Sequence, residues 1–318
     1  MHMSTSNTNS MPLVSVLMPV FNAEKHIFVA IQSILDQSYS NFELIILNDG
    51  SVDGTQSILE GFSDDRIRII RHANNQGLIT TRNELVHLAN GKYIALMDAD
   101  DIADSSRLDE QVSYLESNLA DICGSDHYSL FEPTGRLKRS HQRCSDPDIR
   151  ALLTVCSPLC NPSIMGRTHL FKTHSYQNDI EVAEDYALWQ KLSLAGACFG
   201  NIKKTLLTYR VHPNQTSQTK QFRTNDLTLK LQGDYLSGLG INPKLRPKPT
   251  IWTSRLIVGP QFLFSLNRQI SNISFVANSQ IYSRFQKRGG WLFFPITRAE
   301  RALIALIAYL MGKLPKKL

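Results

Sequence analysis

From Leu13 onward, apolar runs of strand length alternate with amphipathic segments of helix length. That alternation restricts the chain to an α/β fold whose sheet is mostly parallel and built from βαβ units. Leu13 to Val20 is the first apolar run, and a helix over His26–Gln37 follows, with Ile27, Ala30, Ile31, Ile34 and Leu35 at helical spacing. Phe42–Leu47 reads as a second buried strand. After it come the turn-forming residues Asn48 to Thr55 and a short helix carrying Ile58, Leu59 and Phe62. Ile67–Ile70 is the third strand, Leu78–Leu88 the next helix, and Asn90-Gly91 stops it before a strand over Tyr93–Met97.

This pattern places two acidic loops at the carboxyl ends of strands. One holds Asp49, and the other is Asp98-Ala99-Asp100-Asp101. Ligands of open α/β sheets bind outside those ends, where the strand order reverses, so both loops are positioned to meet one ligand. Beyond Arg107 the pattern is mixed. A helix runs to about Glu116, a short strand lies near Ile122, and a polar stretch covers Glu132–Asp148. Asn161-Pro162-Ser163, a helix from Glu184 and a strand over Leu206–Val211 follow.

Charge divides the chain further. Residues 241–318 hold thirteen Lys or Arg against the single acid Glu300, a net of +12, whereas residues 1–240 carry a net of −6. With 42% hydrophobic and 19% charged residues, the chain has the composition of a folded protein. Residues 1–12 are expected to be a disordered leader with no apolar signal segment. Residues 13–240 should form the α/β domain, in two halves of 13–125 and 126–240. Asn242–Pro249 reads as a linker into a basic, partly amphipathic helical region that completes 241–318. The five cysteines form no Cys-x-x-Cys pair, which excludes a zinc ribbon and suits reduced thiols in the cytoplasm.

Several residues carry candidate chemistry, each with a plain structural alternative. Asp49 can accept hydrogen bonds from the edge of a base, or only close an Asx turn. Asp98 and Asp100, one residue apart in extended geometry, point to the same side. Hard Mn²⁺ or Mg²⁺ takes one or two such carboxylates and completes its shell with substrate phosphates. Glu184-Asp185 opens a helix, where acids complement the helix dipole or, alternatively, supply a general base. Arg82 could meet an anionic ligand or make an ordinary ion pair, and His212 could be a ligand or helper or hold a structural place beside a strand end.

Taken in order, the matches resemble the inverting family 2 glycosyltransferases of the GT-A fold, which is Rossmann-like. They are Ser15–Asn22, Ser33–Ser38, Asn48–Thr55, Asn75–Leu78, Arg82-Asn83, Asp98–Asp101, Asn161–Ser163, Glu184–Tyr186 and Tyr209–His212. The resemblance covers about Val14 to Ser217 and implies that 13–125 is a nucleotide-sugar half and 126–240 an acceptor half. It implies a nucleotide-binding set of Pro19, Phe21, Asn22, Asp49, Arg82, Asp98 and Ala99, with Asp49 on the base and Asp98 on the ribose. It also implies Asp100 and His212 at a Mn²⁺ or Mg²⁺ ion, Asp185 as the base that deprotonates the acceptor hydroxyl, and Asn161 and Glu184 on the acceptor or sugar side. Asn48 stands where many members have Asp, which leaves the nucleotide open.

The expected donor is a nucleotide-diphosphate sugar, with UDP-sugar preferred, and the expected acceptor is a glycan or lipid-linked oligosaccharide of the cell surface. Alternatives on the same fold are a polyprenyl-phosphate glycosyltransferase and a non-catalytic nucleotide-binding protein. No Gly-x-Gly-x-x-Gly follows the first strand, which disfavours a dehydrogenase, and no nucleic-acid-binding motif accompanies the basic tail. Within that tail the uninterrupted apolar run Ala302–Met311 is too short to span a bilayer. Trp291–Leu314 is expected either to lie on an anionic membrane surface, at the inner face of the cell membrane, or to pack on the core.

Overall fold

The computed structural model describes residues 11–281, apart from 133, 181, 214, 216–223, 244–258, 271–272, 275–276 and 278–279. The expected leader (except residues 11 and 12), most of the Asn242–Pro249 linker and the whole Trp291–Leu314 segment lie outside the described residues.

The first four strands are β1 (Val14–Val20), β2 (Phe42–Asn48), β3 (Ile67–Arg71) and β4 (Tyr93–Leu96). They pair in parallel in the order β3-β2-β1-β4. Their helices are α1 (Ile27–Leu35), α2 (Thr55–Leu59) and α3 (Leu78–Leu88). Alternate residues of each strand enter opposite cores. Val14, Val16 and Met18 of β1, with Leu44 and Ile46 of β2, pack with Ile27, Ala30, Ile31 and Ile34 of α1. Leu17, Ile45 and Leu47 face the other way, toward Leu85 and Val86 of α3. Both faces are therefore covered, so these strands read as continuous apolar runs and not as alternating ones.

The register brings the carboxyl ends together, since Val20 lies beside Asn48 and Leu17 beside Leu96. Strand order reverses at β1, with β2 on one side and β4 on the other, and this opens a crevice between the loops that follow β1 and β4.

The second half turns the sheet into a mixed one. After β5 (Ile102–Ala103) and α4 (Arg107–Glu116) come β6 (Ile122–Phe131), β7 (Arg136–Ser140) and α5 (Asp146–Leu152). The chain continues through a 3₁₀ turn at Asn161–Ser163, β8 (Met165–Arg167), α6 (Thr168–Thr173), α7 (Glu184–Leu194) and β9 (Phe199–Val211). The full order is β3-β2-β1-β4-β8-β6-β9-β5, with β7 hairpinned on β6. The short β8 joins β4 and β6 antiparallel to both, while β6 and β9 run parallel with a bulge near Asp126. β6 spans the expected 125/126 division, so the two halves share one sheet.

Two further helices, α8 (Thr224–Gly238) and α9 (Gly259–Gln269), follow. Phe262, Leu263 and Leu266 of α9 pack on Ala151 and Leu152 of α5 and on Leu236 of α8. Asp148 at the start of α5 accepts from the backbone N–H (2.6 Å) and hydroxyl (2.7 Å) of Ser274. The described part of the C-terminal region thus packs on the body of the domain.

Candidate active site

A cleft of about 1380 Å³ opens at the carboxyl ends of β1, β2 and β4 and is closed on its other side by the start of α7 and the end of β9. Its walls include Pro19, Phe21, Asn22, Asp49, Arg82, Asp98, Ala99, Asp100, Asn161, Glu184, Asp185 and His212. Every site residue expected from the sequence therefore borders one space, although they are drawn from both halves of the chain.

The β1 and β2 loops are latched together. Asn22, in the left-handed region at φ 50°, accepts the Val52 N–H on its side-chain oxygen (3.0 Å), and its own N–H donates to the Ser51 hydroxyl (2.9 Å). The Asn22 side chain thus braces the loop, while Phe21, 47% exposed, presents its ring at the cleft wall. Asn48 braces the same loop by accepting the Ser51 N–H on its side-chain oxygen (3.0 Å).

Asp49 is buried and strongly held. Its Oδ1 accepts the Gln76 N–H (2.7 Å) and lies 2.7 Å from His72 Nδ1, and its Oδ2 accepts the Gly77 N–H (2.9 Å). Burial pushes its pKa up, but the His72 hydrogen bond and the two amides outweigh it and keep the carboxylate below its ordinary value. Gly50 permits this loop. Its φ is +71°, and a Cβ there would stand 2.6 Å from the backbone carbon of Asn74.

At the end of β4, Asp98, Asp100 and Asp101 differ sharply in surroundings. Asp98 accepts from Arg82 at 3.4 Å, and burial together with Asp100 and Glu184 outweighs that cation and lifts its pKa to about 6. Asp100 Oδ2 lies 3.0 Å from His212 Nε2. The His212 ring packs beside His26 at a centroid distance of 5.4 Å. Asp101 is fully buried. Its Oδ1 accepts the Arg210 N–H (2.9 Å), its Oδ2 has no partner, and burial pushes its pKa well up. Arg107, buried beneath this loop, donates to the Leu96 carbonyl (2.8 Å), and desolvation lowers its pKa to about 10.

Arg82 crosses the cleft floor. It is buried, and it donates to Glu184 of α7 as well as to Asp98 of the β4 loop. Its guanidinium is committed to two protein carboxylates, where the sequence left open a diphosphate or a surface pair. One guanidinium therefore spans the gap between the acidic strand end and the start of α7.

Ala183 enters α7 with φ 60° and ψ 30°, a left-handed conformation that costs a residue with a Cβ about 1–2 kcal/mol. This bend carries Glu184 and Asp185 into the cleft wall. Burial and then the neighbouring Glu184 raise the Asp185 pKa to about 6 against the pull of Arg82. A carboxyl with that value changes protonation in the range a general base needs. Asn161, on the 3₁₀ turn, holds a buried side-chain oxygen with no partner at the same wall.

Asp100 and His212 are the paired side chains that could contribute to a cation site. Among the described residues no cluster of three or more His, Cys, Asp or Glu forms a closed cage. An oxygen and nitrogen pair with open positions suits Mn²⁺ or Mg²⁺ that takes its remaining ligands from a diphosphate. Reading the sequence missed His72 and Glu84, which brace Asp49, because a lone histidine after a strand and an acid on a helix carry no shared local signal.

Residues 15–175 match the family model described as Glycosyl transferase family 2. The chain belongs to this family and is a glycosyltransferase enzyme of the GT-A fold. It is 36% identical over 251 residues to an uncharacterized glycosyltransferase of Haemophilus influenzae, covering 74% of this chain and 77% of that one. It is 31% identical over 214 residues to an Escherichia coli UDP-Glc:alpha-D-GlcNAc-diphosphoundecaprenol beta-1,3-glucosyltransferase, covering 66% and 82%. Among solved structures, Staphylococcus aureus TarS 1–349 in complex with UDP aligns with a TM-score of 0.59 at 17% identity, over 90% of this chain and 94% of that one. A Pyrobaculum calidifontis mannosyltransferase in complex with GDP-Man and Mn²⁺ aligns with a TM-score of 0.54 at 13% identity, over 96% and 89%.

Proposed function

We propose that the enzyme transfers a sugar, with inversion, from a UDP-sugar to a hydroxyl of a lipid-linked or glycan acceptor in cell-surface glycan synthesis. The observation that carries this reading is the pairing, in one cleft, of the Asp98–Asp100 strand end with an Asp185 carboxyl raised to about 6.

Phe21 and Asp49 suit the base, and Asp98 suits the ribose. Asp100 and His212 would hold Mn²⁺ or Mg²⁺, which when bound offsets the negative charge gained by the departing diphosphate. Asp185 takes the proton of the acceptor hydroxyl as its oxygen attacks the anomeric carbon, and the bond to the diphosphate oxygen breaks on the opposite face of the sugar. Arg82 holds Glu184 and Asp98 in place, and so keeps the base-bearing helix at a constant distance from the donor side.

The E. coli relative's diphosphoundecaprenol substrate supports a lipid-linked acceptor for this chain. No helix among the described residues is long and apolar enough to cross a membrane. Contact with the inner face of the membrane would rest on Trp291–Leu314 and the closing Lys316-Lys317, where aromatic and basic residues stand together. Sugar transfer to a GlcNAc-diphosphate lipid, assayed with UDP-glucose and other UDP-sugars in Mn²⁺ buffer, tests the reading. Absence of transfer together with no thermal shift by UDP would refute it.

A further inference from the structure

Asp49 makes three hydrogen bonds before any ligand arrives, and their distribution over its two oxygens is uneven. A carboxylate oxygen accepts about two hydrogen bonds. Oδ1 receives both of its donors, from His72 Nδ1 at 2.7 Å and the Gln76 N–H at 2.7 Å. Oδ2 receives one, from the Gly77 N–H at 2.9 Å. Among the described residues nothing else binds this carboxylate, so one acceptor position remains, and Asp49 lines the cleft.

The histidine is itself fixed. Its Nε2 lies 2.9 Å from Glu84 Oε2 on α3, so the ring is clamped between two carboxylates and keeps an N–H directed at Asp49. His72 is 15% exposed on its side chain and Asp49 5%, which shields the pair from water. The two amides come from the backbone turn at Gln76-Gly77. His72 is therefore the one side chain that decides whether Oδ1 is filled.

We propose that His72, clamped by Glu84, is a positioning residue that sets base specificity: by filling Oδ1 it leaves Asp49 a single acceptor, which accepts a base edge with one N–H donor and penalises an edge with two. This rests on the proposed nucleotide-sugar site, with Asp49 as the residue that meets the base. A uracil or thymine ring presents one imide N–H between two carbonyls. Guanine presents a ring N–H and an adjacent amine, and would bury one donor against an oxygen that is already full. A buried donor without a partner is costly, whereas a missing bond that exposes nothing costs little.

The test uses the full-length protein and titration calorimetry with UDP, GDP and inosine diphosphate, which is GDP without the amine. Wild type should bind UDP best, and should bind inosine diphosphate about tenfold more tightly than GDP, a difference of about 1.4 kcal/mol. In His72→Phe the freed Oδ1 should accept the amine, so the order of GDP and inosine diphosphate should reverse. His72→Gln, which keeps a donor, should retain the wild-type order. A wild type that binds GDP more tightly than inosine diphosphate overturns the proposal without any variant, so a His72→Phe protein that fails to fold does not rescue it. A folded His72→Phe with the wild-type order also overturns it. If wild type binds none of the three nucleotides, the nucleotide-sugar reading itself falls, and the proposal with it.

Discussion

Replacing Asp185 with asparagine should stabilise the protein and abolish its activity. Its pKa is raised from 3.8 to about 6 because burial and Glu184 disfavour the charge. A carboxyl whose folded value lies above its unfolded value contributes stability below about pH 4. That contribution is lost as pH rises through about 6, and above this the folded state carries the full penalty. A shift of about two units corresponds to roughly 3 kcal/mol as a ceiling. Asp185 remains partly accessible, so about half of this, on the order of 1.5 kcal/mol, is the working figure.

Asparagine has the same shape and can still accept the Tyr186 N–H that Asp185 accepts at 2.7 Å. The variant should therefore melt about 2–3 °C above wild type at pH 8 and coincide with it near pH 4. Scanning calorimetry across that range, alongside a transfer assay, measures both effects. A variant that melts at or below wild type at pH 8 would refute the electrostatic argument, and one that keeps normal turnover would refute the base assignment.

Other consequences can be checked directly. The rate of transfer should fall as pH drops below about 6, because Asp185 and Asp98, both lifted to about 6, take up protons there; a flat pH–rate profile from 5 to 8 would contradict the proton-transfer role. Asp100→Asn should remove most of the extra thermal shift that Mn²⁺ gives to UDP, with His212→Ala showing a smaller loss, and an unchanged Mn²⁺ increment would move the cation elsewhere. Gly50→Ala should destabilise the fold by about 3 kcal/mol, read by urea melting, because a left-handed φ and a backbone clash act at the same residue.

Much of the first half was legible because its information is local. Turn residues and apolar periodicity bounded α3 at Leu78 and Leu88 and placed Asp98-Ala99-Asp100 at the end of an apolar strand, as the structure does. The strand at β9 was read from Leu206, yet it begins at Phe199, since Lys203 and Lys204 interrupt the apolar pattern at a bulge, with pairing to β6 on either side of it. The three-residue β8 has no periodicity at all, yet it joins the parallel strands of the first half to β6, antiparallel to both neighbours.

The sequence by itself determined the layers of the first βα units, the acidic strand ends and the residue types able to do the chemistry, because each depends on neighbours a few positions away. Only the tertiary structure decided what those residues do to one another. It committed Arg82 to Glu184 and Asp98 across 102 and 16 positions of chain, left one acceptor on Asp49 by way of His72, and raised Asp98 and Asp185 to about 6 by burying them together. Desolvation and charge pairing act through space, and the distances that govern them are created only when the two halves close around one cleft.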